Sequence, residues 1–480
     1  MRIALIKPAN DGILGLELIT LVEPLGLECV AAVLERDGHE VRIIDLRLDG
    51  FDVGMAKCEG FAPDLIGFQC NFTTERYRLI RATREVRRRL PRAFTLVGGH
   101  DCSRDPNWFC DPSIDAVAIG DGEEIVAAIV NAVDRRADLA TVPGMMLNTD
   151  TGPKFTPPSN VRSELDSLPL PARHLVREYA DSYYINFRKP LALLETARGC
   201  PFACNFCSVW KFHESTFRMK SAQQVVRELE TIHAPNIFVT DDIFWLHHAR
   251  SLEMANAIRD SGIRKFYTVQ TRTDIICKFP ELIDKWRECG NLAVFLGVEK
   301  VDDAGLKSVN KLNKASHNER AIEILKQRDV GFTCNFIVDP TWQREDFQKL
   351  KDWIEAHATY NSGFSILTPL PGTDLWDEAK AQVNTQDWEL FDIVHSVLPT
   401  TLPMEDFYRE YSALWRHALK VRYKHRGRAR MYVQLVAGLV SGKVNLTMVQ
   451  RGWNMAKIMG EPETFLRQHE VSAARAHAAA

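Results

Sequence analysis

The chain has no uninterrupted apolar run approaching the ~20 residues a membrane-spanning helix needs, which excludes a protein built on such helices. It has almost no net charge either. Its 60 lysines and arginines against 63 acids leave −3 at pH 7, so the whole molecule carries no electrostatic footprint for nucleic acid, and any such contact would need a local patch. No apolar leader precedes the first strand pattern, Met1-Arg2-Ile3-Ala4-Leu5-Ile6, and eleven cysteines in 480 residues do not make a disulfide framework, so a reducing, cytoplasmic compartment is expected. A last absence is local. Cys200, Cys204 and Cys207 stand in the run Ala197-Arg198-Gly199-Cys200-Pro201-Phe202-Ala203-Cys204-Asn205-Phe206-Cys207, with no further cysteine near enough in sequence to complete a four-thiolate set.

Structural zinc sites close with four protein ligands, and iron–sulfur electron carriers usually take four cysteines. The nearest other candidates are His213, which could in principle be a fourth ligand, and Cys277. Three thiolates on so tight a loop suit an iron–sulfur cluster with one iron left open to a substrate or cosubstrate. The plain alternative, three buried cysteines acting as small hydrophobes, fits poorly with the loop residues Arg198, Gly199, Pro201 and Asn205 around them.

The length suggests roughly two to four domains. Residues 1–141 alternate short apolar runs (Ile3–Ile6, Val41–Asp45, Leu65–Cys70, Phe94–Val97, Ala116–Ile119) with helical stretches (Leu25–Glu35, Thr74–Leu90, Glu123–Val133), the pattern of a doubly wound α/β domain. Such sheets bind ligands beyond the carboxyl ends of their strands, which here read Lys7-Pro8-Ala9-Asn10, Gln69-Cys70-Asn71-Phe72, Gly98-Gly99-His100 and Gly120-Asp121-Gly122-Glu123. Their glycines and small polar residues suit a large flat ligand lying on the backbone. Residues 142–190, rich in proline and glycine, read as a connection with room for a hairpin. Between 191 and 372 the alternation resumes with strands at Leu191–Thr196, Ile237–Thr240, Phe266–Thr271, Ala293–Val298, Phe332–Val338 and Phe364–Leu367, a partial (β/α)6 barrel. The cysteine loop follows the first of these strands, at the end where β/α barrels place their chemistry. Residues 373–480 read as helical. Within them Arg416–Arg430 is basic and free of acids and leads into the apolar Met431–Val440, a solvated face followed by a core helix or else a contact with an anionic membrane surface.

The C-x3-C-x2-C spacing with Phe206 before the last cysteine resembles the signature of the radical S-adenosylmethionine (SAM) enzymes. The resemblance implies a 4Fe–4S cluster on Cys200, Cys204 and Cys207 whose open iron chelates SAM, with Phe206 against the adenine. It implies SAM contacts for Thr240, Asp241 and Asp242 after the second barrel strand, for Arg272 after the third and for Glu299, a ribose-binding carboxylate, after the fourth. Taken alone, Gly297-Val298-Glu299 could equally be a cap or an ion pair.

A doubly wound domain ahead of such a barrel resembles the cobalamin-binding radical SAM enzymes, over Met1 to about Gly372. That implies cobalamin near Asn10, Cys70, Asn71, Gly98, Gly99, His100, Gly120, Gly122 and Glu123. Flavin or nucleotide binding is the competing reading of the same fold. The D-x-H-x-x-G pattern that supplies an axial histidine is missing, since Asp37-Gly38-His39 lacks its glycine and precedes a strand. Glu23-Pro24-Leu25-Gly26-Leu27-Glu28 and the overall length look most like the hopanoid carbon-3 methylases. The implied reaction is cleavage of SAM to a deoxyadenosyl radical, hydrogen abstraction from an unactivated carbon, and methylation from methylcobalamin, with an external electron donor and a small-molecule or lipid substrate. Ring closure on a porphyrin precursor, methylation of an antibiotic intermediate, and a non-catalytic cobalamin or iron sensor are the rival readings.

Overall fold

The structure is a computed structural model that describes residues 1–9, 20–159, 162–440, 444 and 446–479. It divides into two compact units, Met1–Gly15 with Glu23–Ser182 and Leu16–Val22 with Tyr183–Ala480.

The first unit is built on a seven-stranded sheet: β1 (Arg2–Lys7), β2 (Glu40–Asp45), β3 (Leu65–Gln69), β4 (Phe94–Gly98), β5 (Ala116–Ala118), β6 (Met145–Thr149) and β7 (Gly152–Phe155), ordered β2-β1-β3-β4-β5-β6-β7. The first five are parallel and nearly all buried, as apolar runs covered by helices on both faces must be. Ile6, Ile44, Ile66 and Phe68 join Met55, Cys58 and Phe61 of the helix Phe51–Phe61 and Leu79, Ala82 and Val86 of the helix Arg76–Arg89 in one core cluster. Helices Leu25–Arg36 and Gly122–Asp134 pack together. Helix Phe51–Phe61 has no counterpart in the sequence reading, because Gly54 and Gly60 dilute its periodicity. The sheet also exceeds the five expected strands. β6 and β7 form an antiparallel hairpin on the β5 edge, inside the segment read as a connection.

The second unit carries six parallel strands in sequence order: β8 (Leu191–Leu194), β9 (Asn236–Val239), β10 (Lys265–Arg272), β11 (Gly290–Glu299), β12 (Gly331–Val338) and β13 (Ser362–Ile366). β8 and β13 are not paired, so the barrel is a half-barrel. Exposure alternates along β11: Leu292, Val294, Leu296 and Val298 are buried, whereas Ala293, Phe295, Gly297 and Glu299 are half-buried. Helix Met404–Arg426 packs against Arg344–Ala356 and β13 through Phe407, Tyr411 and Trp415, with the Tyr411 hydroxyl donating to the Phe364 carbonyl at 2.7 Å.

Candidate active site

The cysteine loop leaves β8 and is closed at its base by a two-residue ladder, Ala197–Arg198 against Arg218–Met219. Gly199 begins the loop at φ +93°, and a Cβ there would stand 2.2 Å from the Thr216 carbonyl oxygen, so only glycine fits. Cys204 is buried and Cys200 and Cys207 are half-buried. Among the described residues no three His, Cys, Asp or Glu side chains meet as a single-ion site. Three thiols on one short loop, with no fourth protein ligand beside them in sequence, are a donor set that fits a 4Fe–4S cluster. His213 packs at the loop base, its Cβ 3.1 Å from the position of a Gly199 Cβ.

Four further strand ends reach this loop. After β9, Asp241 is 1% exposed and its carboxylate accepts from the Thr196 amide at 2.6 Å, the Thr196 hydroxyl at 2.5 Å and the Ala197 amide at 3.0 Å. That carboxylate faces the root of the cysteine loop and clamps it. Desolvation pushes its carboxyl up to about 7 against these donors. Asp242, exposed beside the loop, accepts from the Gly199 amide at 3.0 Å, and desolvation by the surrounding protein raises its carboxyl to about 6. Thr240 donates its amide to the Leu194 carbonyl at 2.9 Å, tying the β8 and β9 ends together.

After β10, Arg272 lies 3.8 Å above the Phe202 ring and donates to Asp274 at 2.9 and 3.2 Å and to the Leu312 carbonyl at 2.5 Å. At the end of β11, Glu299 sits at φ +62°, beside a register shift against β12, and pairs with Lys311 at 2.7 Å. Asn205 donates its amide to the Val309 carbonyl and its side chain to the Ser308 carbonyl, while Asn310 donates to the Ala203 carbonyl at 2.5 Å. After β13, the Leu375 amide donates to the Asn205 carbonyl at 2.9 Å and Lys211 pairs with Asp374 at 2.5 Å. Phe206 is half-buried within the same loop. The structure thus gathers the three cysteines, Phe206, Thr240, Asp242, Arg272 and Glu299. It adds Lys311, Phe202 and Asn310, which carry no local motif and are recognisable only once the strands are assembled.

In the first unit the strand order reverses between β1 and β3, the switch point of the sheet. Lys7 at the end of β1 pairs with Glu75 at 2.5 Å, and Glu75 also accepts from the Asn71 and Phe72 amides at 2.9 and 3.3 Å. Asp101, fully buried, accepts from Thr73, Arg76 and Arg104 at 2.6 to 2.8 Å, which fixes the loops after β3 and β4. Gly99 at φ +117° lies so close to the loop after β3 that a Cβ would meet the Cys70 oxygen at 2.5 Å, and the His100 amide donates to the Asn71 side chain at 3.3 Å. Gly98, Gly99, Asn71, His100 and Gly120 lie at this carboxyl edge, all half-buried, with Phe72 65% exposed beside them, and an edge of such small residues suits a flat ligand.

Three of the expected residues turn inward. The Cys70 side chain is fully buried, Glu123 is 6% exposed, and Gly122 packs toward Val30 of the helix Leu25–Arg36. Asn10 lies outside the described residues. His39 sits at the opposite end of the sheet, its Nδ1 3.3 Å from the Met1 amino group, so it cannot serve a ligand at the carboxyl edge.

A half-barrel with a three-cysteine loop after its first strand, joined to a doubly wound unit with a glycine-lined switch point, defines a radical SAM enzyme with a corrinoid-binding domain. Comparison agrees: residues 13–130 match the B12 binding domain family and residues 194–354 the Radical SAM superfamily. The chain is 33% identical to the hopanoid C-3 methylase of Methylococcus capsulatus over 93% of its own length and 86% of the relative's. It is 28% identical to the anaerobic magnesium-protoporphyrin IX monomethyl ester cyclase of Rubrivivax gelatinosus, over 83% of this chain and 73% of that one. In fold it is similar to the radical SAM methyltransferase TsrM of Kitasatospora setae, with a TM-score of 0.69 at 16% identity over 98% of this chain and 99% of that one. The cobalamin-dependent radical SAM enzyme OxsB gives the same TM-score at 15% identity, over 99% of this chain and 81% of that one. The chain belongs to the cobalamin-dependent radical SAM methyltransferases, the family of that hopanoid C-3 methylase, and its cofactors are a 4Fe–4S cluster, SAM and cobalamin. No helix among the described residues is long and apolar enough to cross a membrane.

Proposed function

We propose that this enzyme methylates an unactivated carbon of a hopanoid lipid, by analogy of position the carbon numbered 3. The observation that carries the reading is the 33% identity to the hopanoid C-3 methylase over nearly the whole of both chains. An apolar wall supports it: Phe238 and Phe295, half-buried on β9 and β11, meet edge to face with ring centroids 6.5 Å apart.

When bound, the cofactors supply hydrogen-atom abstraction and a transferable methyl group. The chain supplies position. Cys200, Cys204 and Cys207 hold the cluster, and Asp241 and Gly199 fix the root of their loop. Phe206, Thr240, Asp242, Arg272 and Glu299 surround SAM, with Lys311 holding the Glu299 carboxylate and Phe202 supporting the Arg272 guanidinium. The carboxyl edge from Asn71 through Gly98, Gly99 and His100 to Gly120 holds the corrin. Reducing equivalents come from an external one-electron donor, and no nucleic acid takes part.

Reconstituted protein given SAM, methylcobalamin, a reductant and a detergent-dispersed hopanoid should return a product heavier by one methyl group. A magnesium-porphyrin ester offered in parallel should be unchanged. Turnover of the porphyrin with the hopanoid left intact would instead favour the cyclase reading that the Rubrivivax gelatinosus relative raises.

A further inference from the structure

We propose that the consecutive helices Arg428–Val440 and Leu446–Gly460 dock this enzyme on an anionic lipid bilayer surface. The proposal deepens the lipid reading above, naming where the substrate is drawn from and which surface reaches it. Val433, Val436 and Val440 follow one another at i, i+3 and i+7 on the first helix and are 67%, 57% and 85% exposed. Leu446 and Trp453, seven residues apart on the second, are 76% and 74% exposed. These five belong to the fourteen large apolar side chains exposed among the described residues and lie within 21 positions, while the other nine are scattered from Val53 to Val471. Three exposed apolar side chains on one helix and two on the next are what a contact surface would present.

Charge selects the occupant. From Tyr411 to Gly460 the sequence has ten lysines and arginines and no aspartate or glutamate, although the whole chain is −3. Several of the ten are committed within the fold: Lys424 pairs with Glu355 at 2.6 Å, Arg416 donates to the Gly460 carbonyl, Arg451 lies 4.8 Å over the Tyr184 ring, and Arg422 is engaged as well. Lys420 and Lys457 are exposed. A second copy of the chain would set like charges against like, whereas an anionic headgroup layer neutralises them while the valines, leucine and tryptophan enter the acyl boundary. Tryptophan favours that interface. The expectation of a core helix over Met431–Val440 is thereby corrected, since its described valines face outward.

The test uses the full chain and vesicles free of hopanoid, made of phosphatidylcholine alone or mixed with phosphatidylglycerol. Wild type should sediment with the mixed vesicles, less with the neutral ones and less again at high salt. The double variant Leu446→Ser, Trp453→Ser should bind at least tenfold more weakly with unchanged thermal unfolding. Quenching by brominated lipid should lose its Trp453 component in Trp453→Phe. Equal binding of wild type and double variant would overturn the proposal. So would a stable dimer in sedimentation velocity without lipid that the double variant dissolves, since the patch would then belong to a second copy. Methylation of detergent-dispersed hopanoid separates the two claims. If it proceeds while vesicle binding fails, docking alone falls; if vesicle binding holds without methylation, docking stands and the substrate reading falls.

Discussion

Replacing Gly199 with alanine should empty the cluster site without unfolding the protein. Two costs add at this position. The φ of +93° belongs to a region that L residues occupy at a cost of about 1–2 kcal/mol, and the new Cβ would sit 2.2 Å from the Thr216 oxygen, about 1 Å short of an ordinary carbon–oxygen contact. Thr216 cannot retreat cheaply, because its amide donates to the His213 carbonyl at 2.9 Å and its neighbours enter the ladder Arg218–Met219 against Ala197–Arg198. Together the terms come to about 3 kcal/mol against the loop conformation, roughly a hundredfold loss in its population. Gly262 provides the control. It has φ +76° with nothing within 4 Å of its virtual Cβ, so Gly262→Ala carries the backbone cost without the clash. Iron and sulfide content after anaerobic reconstitution, read with the visible absorption of the cluster, should be near wild type for Gly262→Ala and strongly reduced for Gly199→Ala. Full iron incorporation by Gly199→Ala would show that the loop does not need the geometry described.

Alanine at any one of Cys200, Cys204 or Cys207 should abolish deoxyadenosine formation from SAM, assayed by chromatography, while Cys277, Cys289 and Cys334 should be dispensable to it. The Asp241 carboxyl, raised to about 7 from an ordinary 3.8, keeps in the folded state a proton that the unfolded chain releases, so its contribution to stability falls as pH climbs from about 4 to 7, by at most about 1.4 kcal/mol per pH unit. Thermal unfolding across that range should therefore be less pH-dependent in Asp241→Asn than in wild type, and identical slopes would refute the assignment. With corrinoid bound to the full chain, electron paramagnetic resonance of the Co(II) state should lack histidine nitrogen splitting, and His39→Ala should leave the spectrum unaltered, because His39 lies at the amino edge of the sheet.

What the sequence disclosed and what it withheld divide along physical lines. The cysteine spacing and the eleven parallel strands were legible because each is local: a loop motif, or a short apolar run bounded by turn residues. Partnership was not. Thr240-Asp241-Asp242 reads as three equivalent polar groups, and only the fold turns Asp241 inward onto Thr196 while leaving Asp242 at the loop. Lys311 has no motif, yet it satisfies Glu299 across a strand-end bulge. A hairpin was legible in the connection after residue 141, but its pairing onto the β5 edge, which extends the sheet to seven strands, was not. The valines of Arg428–Val440 show the reverse limit: apolar periodicity identifies a face and does not say what covers it.

The most direct test of the account follows the hydrogen. A hopanoid carrying deuterium at both positions of carbon 3 should, with reconstituted enzyme, SAM, methylcobalamin and reductant, yield deoxyadenosine bearing one deuterium together with a methylated product that has lost one. Unlabelled deoxyadenosine alongside a methylated product retaining both deuteriums would contradict the account, since the hydrogen would then have been taken, and the methyl group placed, away from carbon 3.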